Sequence, residues 1–237
     1  MARKIARQLP ISHDVVVDGI KVRCHPSDNV TERELLLDPR PGNESFSSLL
    51  WIMSDLKPGG TFIDVGANCG LFSLFAARQV GPTGRVISIE PIPLMQERLT
   101  FNAQRNGYGN IDLVKSAVGA DNGTATLFVR GKNYGQSSLI AHDGFKPISV
   151  PVRPLVEVTA DKDVASIDVL KIDVEGFEDR VLIPFLTASP RPLWPRKIVM
   201  EISSAGDWRQ DCDAFLTSEG YRRTATASGD GLYELAT

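Results

Sequence analysis

Hydrophobic and polar positions along the chain change period several times, and the changes mark the elements. Residues 61–65 form a short apolar run rich in β-branched side chains, bounded by Gly59-Gly60 and by Gly66, as a buried parallel strand is. Leu71, Leu74, Phe75 and Arg78 then recur at helical spacing until Gly81-Pro82 stops the helix. A second apolar run, 86–89, ends on Glu90. Strand, glycine turn, helix and strand over 59–90 make half of a doubly wound α/β sheet, whose ligands sit beyond the carboxyl ends of the strands.

The rest of the chain supplies the remaining elements. Residues 15–22 alternate around Asp18-Gly19, a hairpin signal. Residues 43–53 read as a helix with Leu49, Leu50, Ile52 and Met53 on its apolar side, ended by Pro58-Gly59-Gly60. Residues 91–106 are the next helix, with Leu94, Met95 and Leu99 inward, and 111–114 a third strand with Ser116, Ala117 and Val118 at its carboxyl end. Asp121-Asn122-Gly123 turns into an alternating strand, 124–129. The least regular stretch is 131–154, and a loop of that length in a compact domain is usually functional or disordered. Residues 166–174 are continuously apolar, as a central strand is; 176–186 follow as a helix, 198–202 as a strand, and 207–220 as a helix with Trp208, Cys212 and Phe215 inward. Residues 221–235 close the chain as an antiparallel pair turning at 228–231. The expected fold is α/β: a doubly wound, mostly parallel seven-stranded sheet, Rossmann-like, with an N-terminal β/α extension over 1–42 and the main domain over 43–237.

Composition narrows the partners. At 237 residues there is room for one such domain with a short addition. A formal net charge of -3 gives no overall electrostatic reason for a phosphate-backbone partner, so no nucleic acid is expected. The basic run of Arg3, Lys4 and Arg7 reads as a solvated terminus, with a lipid- or nucleic-acid-binding arm as the weaker alternative. Cys24, Cys69 and Cys212 are odd in number, far apart and without a C-x-x-C pairing. They suggest neither a disulfide framework nor a zinc site, and a reduced, cytoplasmic setting fits them. Residues 1–10 lack the apolar core of a secretory signal, and no stretch approaches the apolar length of a membrane span.

Two details of the first turn decide its ligand. A dinucleotide turn reads G-x-G-x-x-G, whereas here Gly66 and Gly70 enclose Asn68, with an acid at Asp64. Such an acid would repel a pyrophosphate but suits a ligand carrying an ammonium and a sulfonium. Glu90, at the end of the next strand, is placed to accept from both hydroxyls of a ribose. Together they favour S-adenosylmethionine over NAD. An ordinary glycine turn with a strand-end acid stays open for either feature alone, as does a plain strand-to-turn role for Ser116, Ala117 and Val118. Glu44 has two readings, service to its helix dipole or contact with the methionine ammonium, the first being favoured. Lys171, Asp173 and Glu175 crowd the end of a buried strand, where charges are expensive unless solvated, paired or used. Glu201 lies near the end of the next strand. Tyr134, Ser137, Ser138 and His142, all in the irregular stretch, can meet a substrate, although a solvated loop histidine is the better reading of His142.

DVGANCGLFSLFAA, ISIEP, Asn102 within LTFNAQRN, KSAVGADNGTATLFV, the QSSL loop and IDVLKIDVEGFE together resemble the FkbM-type methyltransferases, over roughly residues 44–201. The resemblance implies a class I methyltransferase fold, S-adenosylmethionine as methyl donor, S-adenosylhomocysteine as product, and a hydroxylated acceptor such as a sugar, a polyketide or another small natural product. Carried onto this chain it implies a cofactor floor at Asp64, Gly66, Asn68 and Gly70, a ribose clamp at Glu90, and adenine contacts near Ser116, Ala117 and Val118. Cys69 departs from the pattern, standing where an aliphatic residue is usual.

Transfer from an activated methyl needs alignment, exclusion of water and a base for the alcohol. Asp173, beside the expected sulfonium, is the first candidate base, then Glu175 and Glu201, with Lys171 holding one carboxylate ionised. The rival assignment makes Asp173 and Glu175 structural, capping the helix at Gly176. A divalent metal is disfavoured for want of an obvious histidine ligand. Two other functions stay open: a non-catalytic module that retains the cofactor pocket, marked by the lack of a substrate-sized cavity beside Asp173, and a nucleic-acid methyltransferase.

Overall fold

The computed structural model describes residues 12–130, 133–138 and 145–236. A hairpin, β1 (His13–Val17) and β2 (Ile20–Cys24), turns at Asp18-Gly19 and precedes two helices, α1 (Val30–Leu37) and α2 (Ser47–Asp55). Then come β3 (Thr61–Val65), α3 (Leu71–Val80), β4 (Arg85–Ile89), α4 (Pro93–Asn106) and β5 (Ile111–Val114). An inserted stretch follows, with β6 (Ala117–Val118), β7 (Gly123–Arg130), β8 (Asn133–Ser138) and β9 (Phe145–Arg153). The chain finishes with α5 (Leu155–Asp161), β10 (Val169–Ile172), α6 (Asp179–Ala188), β11 (Lys197–Glu201), α7 (Cys212–Ser218), β12 (Tyr221–Ala227) and β13 (Asp230–Leu235).

Seven strands form the main sheet in the order β12-β13-β11-β10-β3-β4-β5, parallel except for β13, which runs antiparallel to both neighbours. The chain reverses direction across the sheet between β3 and β10, so their carboxyl ends flank the switch point where doubly wound sheets bind ligands. Alternation sorts the strand residues onto two faces. Ile63, Val65, Ile87, Leu170, Ile172, Ile198 and Met200 pack against α5, α6 and α7. Phe62, Val86, Val169 and Val199 face α2 and α3. Val17, Ile20, Val22 and Leu35 share a core with Leu71, Leu74 and Phe75 of α3, so hairpin and α1 are packed against the main sheet's helical layer. None of the described helices is long and apolar enough to cross a membrane.

The structure corrects several expected boundaries. Helix α2 starts at Ser47 rather than residue 43, because Asn43 Oδ1 accepts from Ser45 N at 2.9 Å and holds a turn there. Leu50, expected inward, is 51% exposed. Helix α6 starts at Asp179 rather than 176, because Glu175 and Gly176 stand at φ +55° and +93°. Helix α7 starts at Cys212 rather than 207, where Asp211 caps it through Ala214 N. Within the stretch expected to be irregular, 131–154, β8 and β9 are strands, and they join β6 and β7 in a second, four-stranded sheet in the order β6-β9-β7-β8. Pro147 and Pro151 mask β9 in the sequence, since prolines mid-strand argue against a strand. They are tolerated because β9 meets β6 only at Val152 and Arg153 and has one open edge over the rest of its length. This small sheet lays Val129 and Ile148 on Ile92 and Met95 at the head of α4.

Candidate active site

A single cavity opens at the switch point. The space between its walls comes to about 760 Å³, open solvent included. Its walls come from the ends of three parallel strands: Gly66 and Asn68 after β3, Glu90 and Pro91 after β4, and Asp173, Val174 and Glu175 after β10. Ser116, Ala117 and Val118 join from β6 and the turn before it, and Leu127 from β7.

The turn after β3 is shaped by close approach. Gly66 stands at φ +80°, and a Cβ there would lie 1.9 Å from the carbonyl oxygen of Asp173. Its N–H and that of Ala67 both donate to the Ile89 carbonyl, tying the turn to β4. Asn68, also left-handed at φ +53°, donates its backbone N–H to Glu90 Oε2 at 2.7 Å. Glu90 Oε1 accepts from Ile92 N at 2.8 Å. Burial pushes the Glu90 pKa up to about 7, against the pull of those two N–H donors. Each oxygen keeps a free lone pair, as a ribose diol requires.

The structure brings together Gly66, Asn68, Glu90, Ser116, Ala117, Val118, Asp173 and Glu175, as the sequence expects, and it separates others. Asp64 is fully buried and does not line the cavity. The pairings Lys171↔Asp64 and Asp64↔Ser88 put these three residues side by side on the α3 face of the sheet. Ser73 Oγ donates to Asp64 Oδ2 at 2.6 Å and accepts from Ser88 Oγ at 2.7 Å. Gly70 also leaves the wall: it begins α3, and a Cβ there would strike Leu99, so it serves the packing of α3 on α4. Glu44 is exposed and away from the cavity, its carbonyl accepting from Ser228 Oγ.

Lys171, nearly buried, pairs with Asp173 Oδ2 at 3.2 Å and with Asp64 Oδ1 at 3.7 Å, and lies over the Phe72 ring. Burial works against its ammonium, yet the Asp173 and Asp64 carboxylates outweigh that and raise its pKa. Burial also raises Asp64. Glu175 lines the cavity with no hydrogen-bond or ion-pair partner among the described residues. Burial, with the charges of Asp173, Glu201 and Glu178, pushes it up to about 8. Glu201 lies off the wall; Ser203 Oγ and Ser204 Oγ donate to its Oε1, and burial with the Asp173 charge raises it to about 7.

Neither Asp173 nor Glu175 caps α6. Glu178 shapes that turn, accepting from Val174 N at 2.9 Å, Gly176 N at 3.3 Å and Trp208 Nε1 at 2.7 Å. Asp230, which sequence reasoning passed over, adds its charge to those around Lys171; it opposes Glu201 only because β13 returns antiparallel. Tyr134, Ser137 and Ser138 fall on β8, but their side chains, like His142 altogether, lie outside the described residues. No cluster of acids, histidines and cysteines suited to a metal exists among the described residues.

The residues fit the nucleoside thioether expected from the sequence. Ser116 Oγ is buried with no hydrogen-bond partner among the described residues, on the wall where an adenine edge is expected. An orphaned hydroxyl of this kind asks for a ligand atom. Glu90 offers acceptors, and the glycine turn offers backbone within reach of a ligand.

A model of the methyltransferase FkbM domain matches residues 64–223. The 31-O-demethyl-FK506 methyltransferase FkbM of Streptomyces tacrolimicus is 31% identical over 210 residues, covering 76% of this chain and 78% of that protein. Methyltransferase sdnD of Sordaria araneosa is 24% identical over 211 residues, covering 75% and 80% respectively. Among solved structures, a putative rRNA-methylase from Clostridium thermocellum shares the fold, with a TM-score of 0.50 at 14% identity over 80% of this chain and 94% of that one.

Proposed function

We propose, from the premise that this chain belongs to the FkbM family of S-adenosylmethionine-dependent methyltransferases, that its acceptor atom is a hydroxyl oxygen on a small molecule such as a sugar or a polyketide. The cofactor supplies an activated methyl group; the chain's own residues supply the rest. Glu90 and Ser116 hold the nucleoside, and the Gly66 turn lets backbone approach it. Glu175 takes the acceptor's proton as the oxygen attacks. Its pKa near 8 suits a base working around neutral pH, and it is not committed to a cation. Asp173, held by Lys171, orients the acceptor hydroxyl beside it.

The observation that carries this reading is the shared wall: Glu90 and Asn68 stand on one side of the cavity, Asp173 and Glu175 on the other. A module that only stored the cofactor would have no use for Glu175, a carboxylate on the cavity wall with no partner among the described residues. The same carboxylates, with Glu201 and a net charge of -3, would repel a phosphodiester and count against a nucleic-acid acceptor. The Streptomyces relative, named for an O-demethylated acceptor, supports oxygen. Cys24, Cys69 and Cys212 are free and buried, which suits a cytoplasmic enzyme. The test is incubation with methyl-labelled S-adenosylmethionine and a panel of hydroxylated small molecules, with the methyl position read by mass spectrometry. Label on oxygen supports the proposal; label only on nitrogen or carbon, or on RNA, refutes it.

A further inference from the structure

A buried line of hydrogen bonds joins the N-terminal segment to the glycine turn. Asn29 is fully buried and uses both ends of its amide. Its Oδ1 accepts from Glu32 N at 3.0 Å and caps α1, while its Nδ2 donates to Asn68 Oδ1 at 2.7 Å and meets Met95 Sδ at 3.2 Å. Asn68 Oδ1 also accepts from Cys69 N at 2.7 Å. Because a backbone N–H can only donate, that bond fixes which end of the Asn68 amide is oxygen. Asn68 Nδ2 is left with no acceptor among the described residues, on a residue that lines the cavity.

Asn68 sits at φ +53°, in the left-handed region that asparagine enters more readily than other non-glycine residues. In that conformation its backbone N–H reaches Glu90. The far end of the line is anchored as well. Glu32, buried in the first turn of α1, accepts from Arg98 Nη1 at 2.6 Å, and Arg98 Nη2 donates to Asp28 at 2.9 Å. Arg98 belongs to α4, the helix that leaves Glu90, so the segment bearing Asn29 is clamped to the element next to the ribose site.

We propose that Asn29 is a positioning residue for the cofactor: it locks the Asn68 amide so that Nδ2 faces the ligand and the backbone N–H stays on Glu90. A residue outside the span matched by the family model, 64–223, thereby completes the cofactor site. An N-cap role alone predicts something different, because serine and aspartate cap as well as asparagine.

Asn29→Ser and Asn29→Asp separate the two. Both keep the cap oxygen; serine removes the amide donor, and aspartate sets an acceptor against Asn68 Oδ1. Calorimetric titration with S-adenosylhomocysteine is expected to show roughly tenfold weaker binding for Asn29→Ser and a larger loss for Asn29→Asp, as for a lost buried hydrogen bond. The KM for S-adenosylmethionine rises in step, while kcat at saturating cofactor stays within twofold. Asn68→Ala weakens binding too, and adding Asn29→Ser to it costs no more than a further twofold. Binding within twofold of the parent in both single variants, or full additivity with Asn68→Ala, overturns the proposal. Failure of both single variants to fold overturns it too, since Asn29 would then determine the fold rather than position the site.

Discussion

Lys171 Nζ lies 3.2 Å from Asp173 Oδ2 and 3.7 Å from Asp64 Oδ1, so one buried ammonium serves a carboxylate on the cavity wall and another beneath it. Removing it strands the fully buried Asp64, whose only other side-chain partner among the described residues is Ser73. Lys171→Met is expected to cost about 3 kcal/mol of stability in urea unfolding. Adding Asp64→Asn should recover most of that loss. An undiminished unfolding midpoint in Lys171→Met would show that the pair is not coupled as described.

Glu175 bears the proton transfer in the proposed chemistry. Glu175→Gln is expected to lower kcat at least about 100-fold and to leave S-adenosylhomocysteine affinity within threefold. In the parent, kcat/KM for the acceptor should climb with pH, reach half its plateau near 8, where burial and neighbouring charges place this carboxyl, and level off above that. That limb disappears in Glu175→Gln. A variant with parental kcat moves the base to Asp173.

Stability should run against the usual trend near neutral pH. Glu90, Glu175 and Glu201 titrate at about 7, 8 and 7 when folded, above the ordinary value of 4.5. The folded state therefore holds protons the unfolded chain has released, so their stabilising contribution is complete below about pH 4.5 and lost as pH climbs through 7 to 8. Asp14 has the opposite sign, its pKa lowered by Arg23 and Arg105, but its contribution changes only in acid. The melting temperature without cofactor is expected to fall between pH 6 and 9, and less steeply in Glu175→Gln. A rise over that interval contradicts the burial of these groups.

Gly66 admits no side chain. Gly66→Ala would need a Cβ 1.9 Å from the Asp173 carbonyl at φ +80°. The variant is expected to lose cofactor binding and about 3 kcal/mol or more of stability, through overpacking and backbone strain together. Retained binding in a titration would show that β3 and β10 approach less closely.

Much of this architecture is legible in the sequence, and the exceptions share a cause. The turn from Asp64 to Gly70 can be read because glycine spacing, a β-branched run and a helical period coincide within a few residues. Glu90 and Asp173 can be read because each follows an apolar strand. What a strand pattern does not reveal is which acid faces outward: Asp64 precedes the end of β3 and points into the sheet's α3 face, whereas Asp173 and Glu90 lie past the last ladder residue. Asn29 and Asp230 reach the site through the packing of α1 and the return of β13, contacts that no local pattern encodes. The N-cap pattern of Asn29 and Glu32 was the one available signal, and it marks α1 but not the bond to Asn68.

The most direct test of the cofactor site is calorimetric titration of the purified chain with S-adenosylhomocysteine and, separately, NAD, using the parent and Glu90→Gln. The expected result is one S-adenosylhomocysteine per chain, no binding of NAD, and affinity about 100-fold weaker in Glu90→Gln, where charged acceptors of the ribose hydroxyls are lost. Parental affinity should also increase as pH rises through 7, where Glu90 ionises, and Glu90→Gln should lack that dependence. Equal affinity in the two proteins, or binding of NAD in place of S-adenosylhomocysteine, would contradict a nucleoside held by Glu90 at the end of β4.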